Sequence, residues 1–230
     1  MTITENDDGA DLPDVLSKTP PSRRGIAKKN AIVDAALHVV SEVGIAGLSM
    51  RVVAAQAGIP LGAVGYYFEG KDDLIQAAFD RHIQRETARV TLAIARIGDS
   101  PSVADLSDRL ADFVIEGLTN TRFQLLAEYE FTIEAVRRPA LAQAASAWQA
   151  TLNTQLQAVL ETLNSPSPRT DARLILAVLA GLEVDQLPHE LQPAHAQTIR
   201  DVLRRLVQSL ETSWIAAKPT GRTKTTNRSS

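Results

Sequence analysis

The chain has 230 residues, of which 44% are apolar and only 4% aromatic, with a formal net charge of −3 and no cysteine. Disulfides, thiolate metal sites and cysteine nucleophiles are therefore excluded, while the apolar mass suffices for one large domain or for a small module plus a larger one. The acidic sum hides an uneven distribution: Glu5, Asp7, Asp8, Asp11 and Asp14 crowd the first residues, Arg23, Arg24, Lys28 and Lys29 follow, and Lys218, Arg222, Lys224 and Arg228 close the chain. Local basic patches, not the total, bear on nucleic-acid binding.

In chain order, residues 1–22 are acidic and then rich in Ser and Pro, which predicts a disordered tail. From Lys28 to Glu42 apolar residues recur at Ile32, Ala36 and Val39, with Val43 next in the series, the spacing of one helical face. Gly44 stops that helix. Ser49 is placed to cap a short helix running to Ala57, Gly58-Ile59-Pro60 breaks it, and a second short helix runs from Leu61 to Tyr67. After Gly70 a long helix is expected from Lys71 to about Ile97, with Asp72 and Asp73 in its first turn where the helix dipole favours acids. Further helices are expected at 102–119, 122–137, 139–163, 169–187 and 194–215, separated most clearly by Ser165–Pro168 and Pro188–Pro193. Residues 218–230, rich in Thr, Ser, Lys and Arg, read as a second disordered tail. No stretch alternates as strands do, and Ala and Leu dominate the apolar set, so the fold class is all-α.

Met50 to Tyr67 has the makings of a helix-turn-helix. Two steeply crossing helices need a small residue where they touch, supplied by Ala54, and a turn residue free to take positive φ, supplied by Gly58. Val53, Ala57, Ile59 and Val64 fall where the second helix must be pinned, leaving a short helix able to enter a major groove. Arg23 and Arg24 precede the first helix on what reads as a flexible arm suited to phosphates or the minor groove, Lys28 at the start of that helix joins them as a DNA-contact candidate, and Lys71 stands at a helix N-terminus just past the second short helix.

The order Ile32-Val33-Asp34-Ala35-Ala36, Val43-Gly44, Leu48 to Ala54, Ala57 to Phe68 and Lys71-Asp72-Asp73-Leu74 resembles the DNA-binding signature of the tetracycline-repressor (TetR/AcrR) family of transcriptional regulators. That resemblance implies a helix-turn-helix domain over 23–70 and a helical ligand-binding and dimerisation domain over 71–217. It implies that Ser49, Met50 and Arg51 open the supporting helix near DNA, that Pro60, Leu61, Gly62 and Ala63 open the recognition helix, that Tyr66 and Tyr67 lie against backbone or bases, and that Lys71 meets a phosphate. Phe68 and Leu74 would be core. Two departures stand out: Gly65 occupies a place where the family often has Tyr, and Pro60 replaces the usual Ser or Thr cap. The recognition helix carries no Arg, Asn or Gln, so direct readout falls to Arg51, the tyrosines and the N-terminal arm, with indirect readout contributing.

Other signals are weaker. Gly65 to Lys71 has the spacing of a phosphate-binding loop, but Asp72 replaces the magnesium-ligating hydroxyl and three aromatic residues fill the loop. His38, His82, His189 and His195 form no ligand pair at helical spacing, and no Ser or His has a nucleophile's context, so no catalytic residue, metal or cofactor is assigned. The longest apolar run, Leu174–Leu182, is about half the ~20 residues of a membrane helix, and no signal peptide is visible, which predicts a soluble cytoplasmic protein without a membrane partner.

In the second half, Leu174–Leu182 is apolar all round, and the last helix repeats Ile199, Val202, Leu203, Leu206 and Leu210. By the resemblance these helices form a two-fold dimer interface through Leu174, Val178, Leu182, Ile199, Val202, Leu203, Leu206 and Leu210. Between them and the first domain, aromatic and polar residues interrupt apolar faces, and His82, Phe113, Glu116, Phe123, Glu128, Tyr129, Thr132 and Trp148 are candidates to line a pocket for a small organic effector. The expected function is a homodimeric repressor released from a near-palindromic double-stranded DNA operator by that effector. The alternative is an activator, or a regulator controlled by a protein partner, without a small-molecule ligand; a closed, fully packed interior would favour it. A helical enzyme or adaptor is a third and weaker reading.

Overall fold

A computed structural model describes residues 23–98 and 101–217. The tails at 1–22 and 218–230, for which disorder is expected, lie outside the described residues. Among those described, regular structure is entirely helical: α1 (Arg23–Gly47), α2 (Met50–Gln56), α3 (Leu61–Tyr67), α4 (Lys71–Ala95), α5 (Val103–Thr119), α6 (Arg122–Ala135), α7 (Pro139–Thr162), α8 (Pro168–Gln186) and α9 (Pro193–Ala217). No helix among them is long and apolar enough to cross a membrane.

The boundaries follow local chemistry. Ser49 caps α2 by accepting a hydrogen bond from the Val52 amide, and Ser102 and Asp105 cap α5 reciprocally. Pro139, Pro168 and Pro193 each open a helix, where a missing N–H costs nothing; read as breaks, the last two are in fact starts. The first helix is longer than its apolar stripe suggests. Arg23 and Arg24, expected on a flexible arm, are the first helical residues of α1, because Ile26, Ala27, Lys28 and Lys29 are good helix formers and Gly25 costs only about 1 kcal/mol relative to Ala.

Gly44 does not end α1 but breaks it, at φ 69° and ψ 174°, a region open essentially only to glycine. The break re-aims the chain. Val43, expected on the core stripe, is left 54% exposed, and Ile45 turns inward instead. Glu130 of α6 holds the break, its carboxylate accepting a hydrogen bond from the Ile45 amide at 3.2 Å.

Two apolar clusters form. The first joins α1, α2 and α3 through Ile32, Ala36, Val40, Val53 and Val64, and it draws in Leu74, Ile75, Ala78 and Phe79 of α4, Ala127 and Phe131 of α6 and Leu141 of α7. The first domain's core therefore does not stop at residue 70. Ion pairs add to the seam: Arg81 and Arg85 of α4 reach Asp34 of α1 at 3.1 and 2.7 Å, and Arg138 bridges Asp72 and Glu134.

The second cluster joins α5 to α9 through Leu106, Val114, Leu160, Ile175, Leu203 and Val207. At its far end Asp171, buried at the start of α8, accepts hydrogen bonds from the Ser165 hydroxyl at 2.6 Å and the Trp214 indole at 2.7 Å, tying α8 to the end of α9. The expectation that residues 174–182 are covered all round does not hold within one chain: Ile175 and Leu179 are buried, whereas Leu174, Ala177, Ala180 and Gly181 are exposed. Ile199, Leu203 and Leu210, expected at an intersubunit face, are sealed in the chain's own core. The helical period that brings them to one face points that face at α5 and α8.

Candidate nucleic-acid interface and internal cavity

The helix-turn-helix is built as its sequence requires. Gly58 has φ 66° with open space where a Cβ would stand, so its role is conformational. Its amide donates to Ala55 O, the next amide donates to Ala54 O, and Ala54 itself is buried in the crossing. Val53 and Val64 are fully buried and pin α3. Pro60 gives α3 no side-chain cap, as its chemistry dictates.

What this leaves outward is a compact face. Tyr66 is 82% exposed, Leu61 is half-exposed, and Pro60, Gly62 and Arg51 are open to solvent. Ala63, Met50, Ser49 and Tyr67 are half-buried; the Tyr67 ring packs edge-on to Tyr66 and against the core. The Ser49 hydroxyl is committed to its capping bond. Lys71 opens α4 beside this face with its ammonium donating to the Ala46 carbonyl at 3.2 Å, which holds it at the junction of α1 and α4. Arg23, Arg24 and Lys28 are exposed on the first turns of α1. Phe68 and Leu74 are core.

The second feature is a cavity of about 370 Å³ in the helical body, within the range that takes small organic ligands. α4 supplies Glu86, Arg89, Val90, Ala93 and Ile94; α5 supplies Leu110 and Phe113; α6 supplies Glu128, Tyr129 and Thr132; α7 supplies Trp148, Gln149 and Leu152; α8 supplies Leu176, Ala180 and Glu183. Of the candidates named from sequence, Phe113, Glu128, Tyr129, Thr132 and Trp148 meet on its wall. The other three do not. His82 sits just behind the wall, fully buried, with its ring edge-on to Trp148 and its Nε2 3.4 Å from a Glu128 oxygen. Phe123 is turned to the opposite side of α6, against His38 of α1. Glu116 is half-buried on α5 and is not among the residues lining the cavity.

Sequence reasoning missed Glu86, Arg89 and Glu183. A lone charged residue on a helix reads as solvated. The signal available was Glu183 lying one turn beyond Leu179 on the buried face of α8.

The cavity is electrostatically graded. Glu86 and Glu183 are buried, Glu128 nearly so, and among the described residues lining the cavity Arg89 is the deeply placed cation. Arg89 pairs with Glu86 at 2.8 Å, donates to the Phe113 carbonyl at 3.1 Å and lies over the Phe113 ring at 3.6 Å. The Tyr129 hydroxyl donates to Glu183 at 3.0 Å and lies 3.2 Å from the Ala180 carbonyl. Burial, reinforced by the negative charge of Glu128, raises Glu183 to about 8, against the opposing pull of the Tyr129 hydrogen bond and Arg89. Burial and the same two carboxylates push the Tyr129 phenol far above its ordinary range. Trp148 is nine-tenths buried, and its indole N–H finds no acceptor among the described residues.

A capped two-helix unit, held on a helix that runs directly into a cavity-bearing helical body, has the architecture of a helix-turn-helix transcriptional regulator. Comparison with known proteins makes this specific. Residues 32–78 match the family described as bacterial regulatory proteins, tetR family, and residues 101–209 match the tetracyclin repressor-like C-terminal domain. The multidrug binding protein EbrR, solved with imidazole, is 38% identical over 78% of this chain and 89% of its own, with a TM-score of 0.58. A TetR-family member of Streptomyces coelicolor A3, SCO1917, is 36% identical over 78% of this chain and 97% of its own, with a TM-score of 0.62. The nicotine-responsive transcriptional repressor HdnoR of Paenarthrobacter nicotinovorans is 30% identical over half of this chain, and the match spans 57% of HdnoR's length. The chain belongs to the TetR family of transcriptional regulators.

Proposed function

We propose that this regulator is a homodimeric repressor that binds a near-palindromic operator and leaves it when a small organic effector fills the cavity between α4 and α8. One observation carries the reading: α4 is shared. Its N-terminus, at Lys71, borders the DNA-facing surface, and its second half, from Glu86 to Ile94, is cavity wall. A ligand that alters the packing of Glu86, Arg89 or Val90 acts on the same rigid rod that carries the reader, and a typical coupling of about 1–3 kcal/mol lowers operator affinity roughly 5- to 150-fold.

A second path runs beside it. Glu128 touches both the cavity and His82, and His82 stacks parallel to Phe79, in the core beneath the reader. The open cavity supports effector control over the alternative of a packed, ligand-free regulator. Among the relatives, HdnoR is a nicotine-responsive repressor, and EbrR has been solved in complexes with proflavin, ethidium and malachite green.

In the DNA complex, Arg51 and Tyr66 reach base edges, Leu61 and Ala63 meet thymine methyl groups, and Lys71, with Arg23, Arg24 and Lys28, contacts phosphates. For dimerisation the exposed apolar residues Leu174 and Val184 of α8 and Val202 of α9, with half-buried Val178, Leu182 and Leu206 beside them, supply a face. Two readers then present half-sites about 34–36 Å apart or at a similar helical phase. The test is selection of DNA from random sequence by the purified protein, followed by titration of the selected duplex with and without small molecules that fill the cavity, with mass measured by light scattering. A dimer on an inverted repeat, released by cavity ligand, is expected; binding by a monomer to asymmetric DNA refutes the arrangement.

A further inference from the structure

We propose that the acidic segment from Glu5 to Asp14 docks on the basic first turns of α1 and competes there with DNA phosphate. This rests on the DNA-binding reading above and adds an intrachain partner for the same surface.

The surface comes first. From Arg23 to Ala31 every residue except half-buried Gly25 is exposed, so the rest of the described chain leaves the start of α1 open. Arg23, Arg24, Lys28 and Lys29 fall in this stretch, and the first acid after them is Asp34. Arg23, Arg24 and Lys28 make no ion pair among the described residues. Lys29 lies over the Phe68 ring at 5.3 Å, which places these turns beside the end of α3. Acids elsewhere in the reader do not answer the charge. Asp34 is held by Arg81 and Arg85, Glu42 lies 3.2 Å from His38, and Glu69 is exposed beyond α3 without an ion pair among the described residues. Clustered guanidinium and ammonium groups of this kind suit phosphates, and they suit carboxylates equally.

The occupant follows from charge and reach. Residues 1–22 lead directly into Arg23. Glu5, Asp7, Asp8, Asp11 and Asp14 lie among them with no Lys or Arg interrupting the series, and Lys18 is the one base before Arg23. Asp14 is nine positions from Arg23, a span of up to about 30 Å when extended, whereas Arg23 to Lys29 covers about 9 Å of helix. The acids therefore reach the basic turns with length to spare. The opposite end of the chain offers no rival, since residues 218–230 carry Lys218, Arg222, Lys224 and Arg228 and no acid.

Tethering holds the acids at an effective concentration in the millimolar range, so weak pairing suffices to occupy the surface. Any duplex must displace the segment, and affinity falls by one factor for all sequences. Bulk DNA, bound through phosphates alone, then drops to low occupancy, while an operator that adds base contacts stays bound. Both ionic contacts weaken together as salt rises, so the segment also flattens the salt dependence of DNA binding.

The test compares the full chain with two variants: one lacking residues 2–15, and one of full length carrying Glu5→Gln, Asp7→Asn, Asp8→Asn, Asp11→Asn and Asp14→Asn. Circular dichroism confirms unchanged helix content. Both variants bind a random-sequence duplex about 5- to 10-fold tighter at about 50 mM salt, with a steeper salt slope, and all three proteins converge near about 0.3 M. A synthetic peptide of residues 1–16, added at about 1 mM to the deletion variant, weakens DNA binding again, and its Asn/Gln analogue does not. Without DNA, a zero-length carbodiimide couples Asp11 or Asp14 of the full chain to Lys28 or Lys29, read by mass spectrometry, and saturating DNA abolishes the product. Unchanged affinity at low salt overturns the proposal. So does tighter binding of the variants without those cross-links in the full chain, which makes the segment a source of distant repulsion, and so do cross-links formed chiefly to Lys218 or Lys224. Failure of every form to bind any duplex, with the cross-links present, sinks the DNA reading and leaves the intrachain contact standing.

Discussion

Replacing Gly44 by alanine probes the joint between the reader and the body. Gly44 sits at φ 69° and ψ 174°, and holding a non-glycine residue in such a region costs about 1–3 kcal/mol. A Cβ there would stand 2.9 Å from the Glu130 Oε2 atom. That oxygen ends a flexible side chain, so the clash is relieved by moving it, but moving it releases the Ile45 amide at the mouth of the core. A hydrogen bond to a charged group contributes about 1.5–3 kcal/mol when buried, and partial burial here argues for the low end. The sum is about 2.5–4.5 kcal/mol, which for a chain of this size lowers Tm by roughly 5–18 °C. Urea and thermal denaturation at fixed protein concentration measure it, since dimerisation makes Tm concentration-dependent.

The decisive arm is a double-mutant cycle. If the Glu130 carboxylate is displaced in Gly44→Ala, adding Glu130→Ala costs less in that background than in the wild type, by about 1 kcal/mol of coupling. Strict additivity, or a Gly44→Ala loss below about 1 kcal/mol, would refute the reasoning, because the backbone would then tolerate a side chain or Glu130 would not be the brace.

Lys71→Ala weakens binding to every duplex to a similar extent and reduces the slope of log affinity against log salt by about 0.9 for each phosphate the ammonium neutralises; a change in base preference alone contradicts the phosphate role. Arg51→Ala relaxes selectivity at one operator position by about 1–3 kcal/mol, measured by competition with single-base variants, and unchanged selectivity removes it from the base-reading set. Glu183 in the folded chain titrates near 8, above its ordinary 4.5. Its stabilising contribution is therefore full below about pH 4.5 and is lost as pH rises through about 8. Glu183→Gln should gain on the wild type in unfolding free energy between about pH 5 and about pH 9, and a pH-independent difference would show that the group titrates normally.

Much of this protein was written locally and could be read locally. The turn at Gly58, the small residue at Ala54, the Ser49 cap and the run into Lys71 are each dictated by neighbours within a few positions, so their spacing carries the reader without any knowledge of the rest. The same holds for the order of helices and their caps. Tertiary packing decided what sequence spacing leaves open. A helical period states that Ile199, Leu203 and Leu210 share a face, not what covers it, and it was the chain's own α5 and α8 that did. It states that Phe123 and Tyr129 lie on the same short helix, not that one meets α1 and the other the cavity. Above all, the sites of Glu86, Arg89 and Glu183 depend on helices distant in sequence arriving at one space: only their convergence turns residues that look solvated into the wall of a cavity.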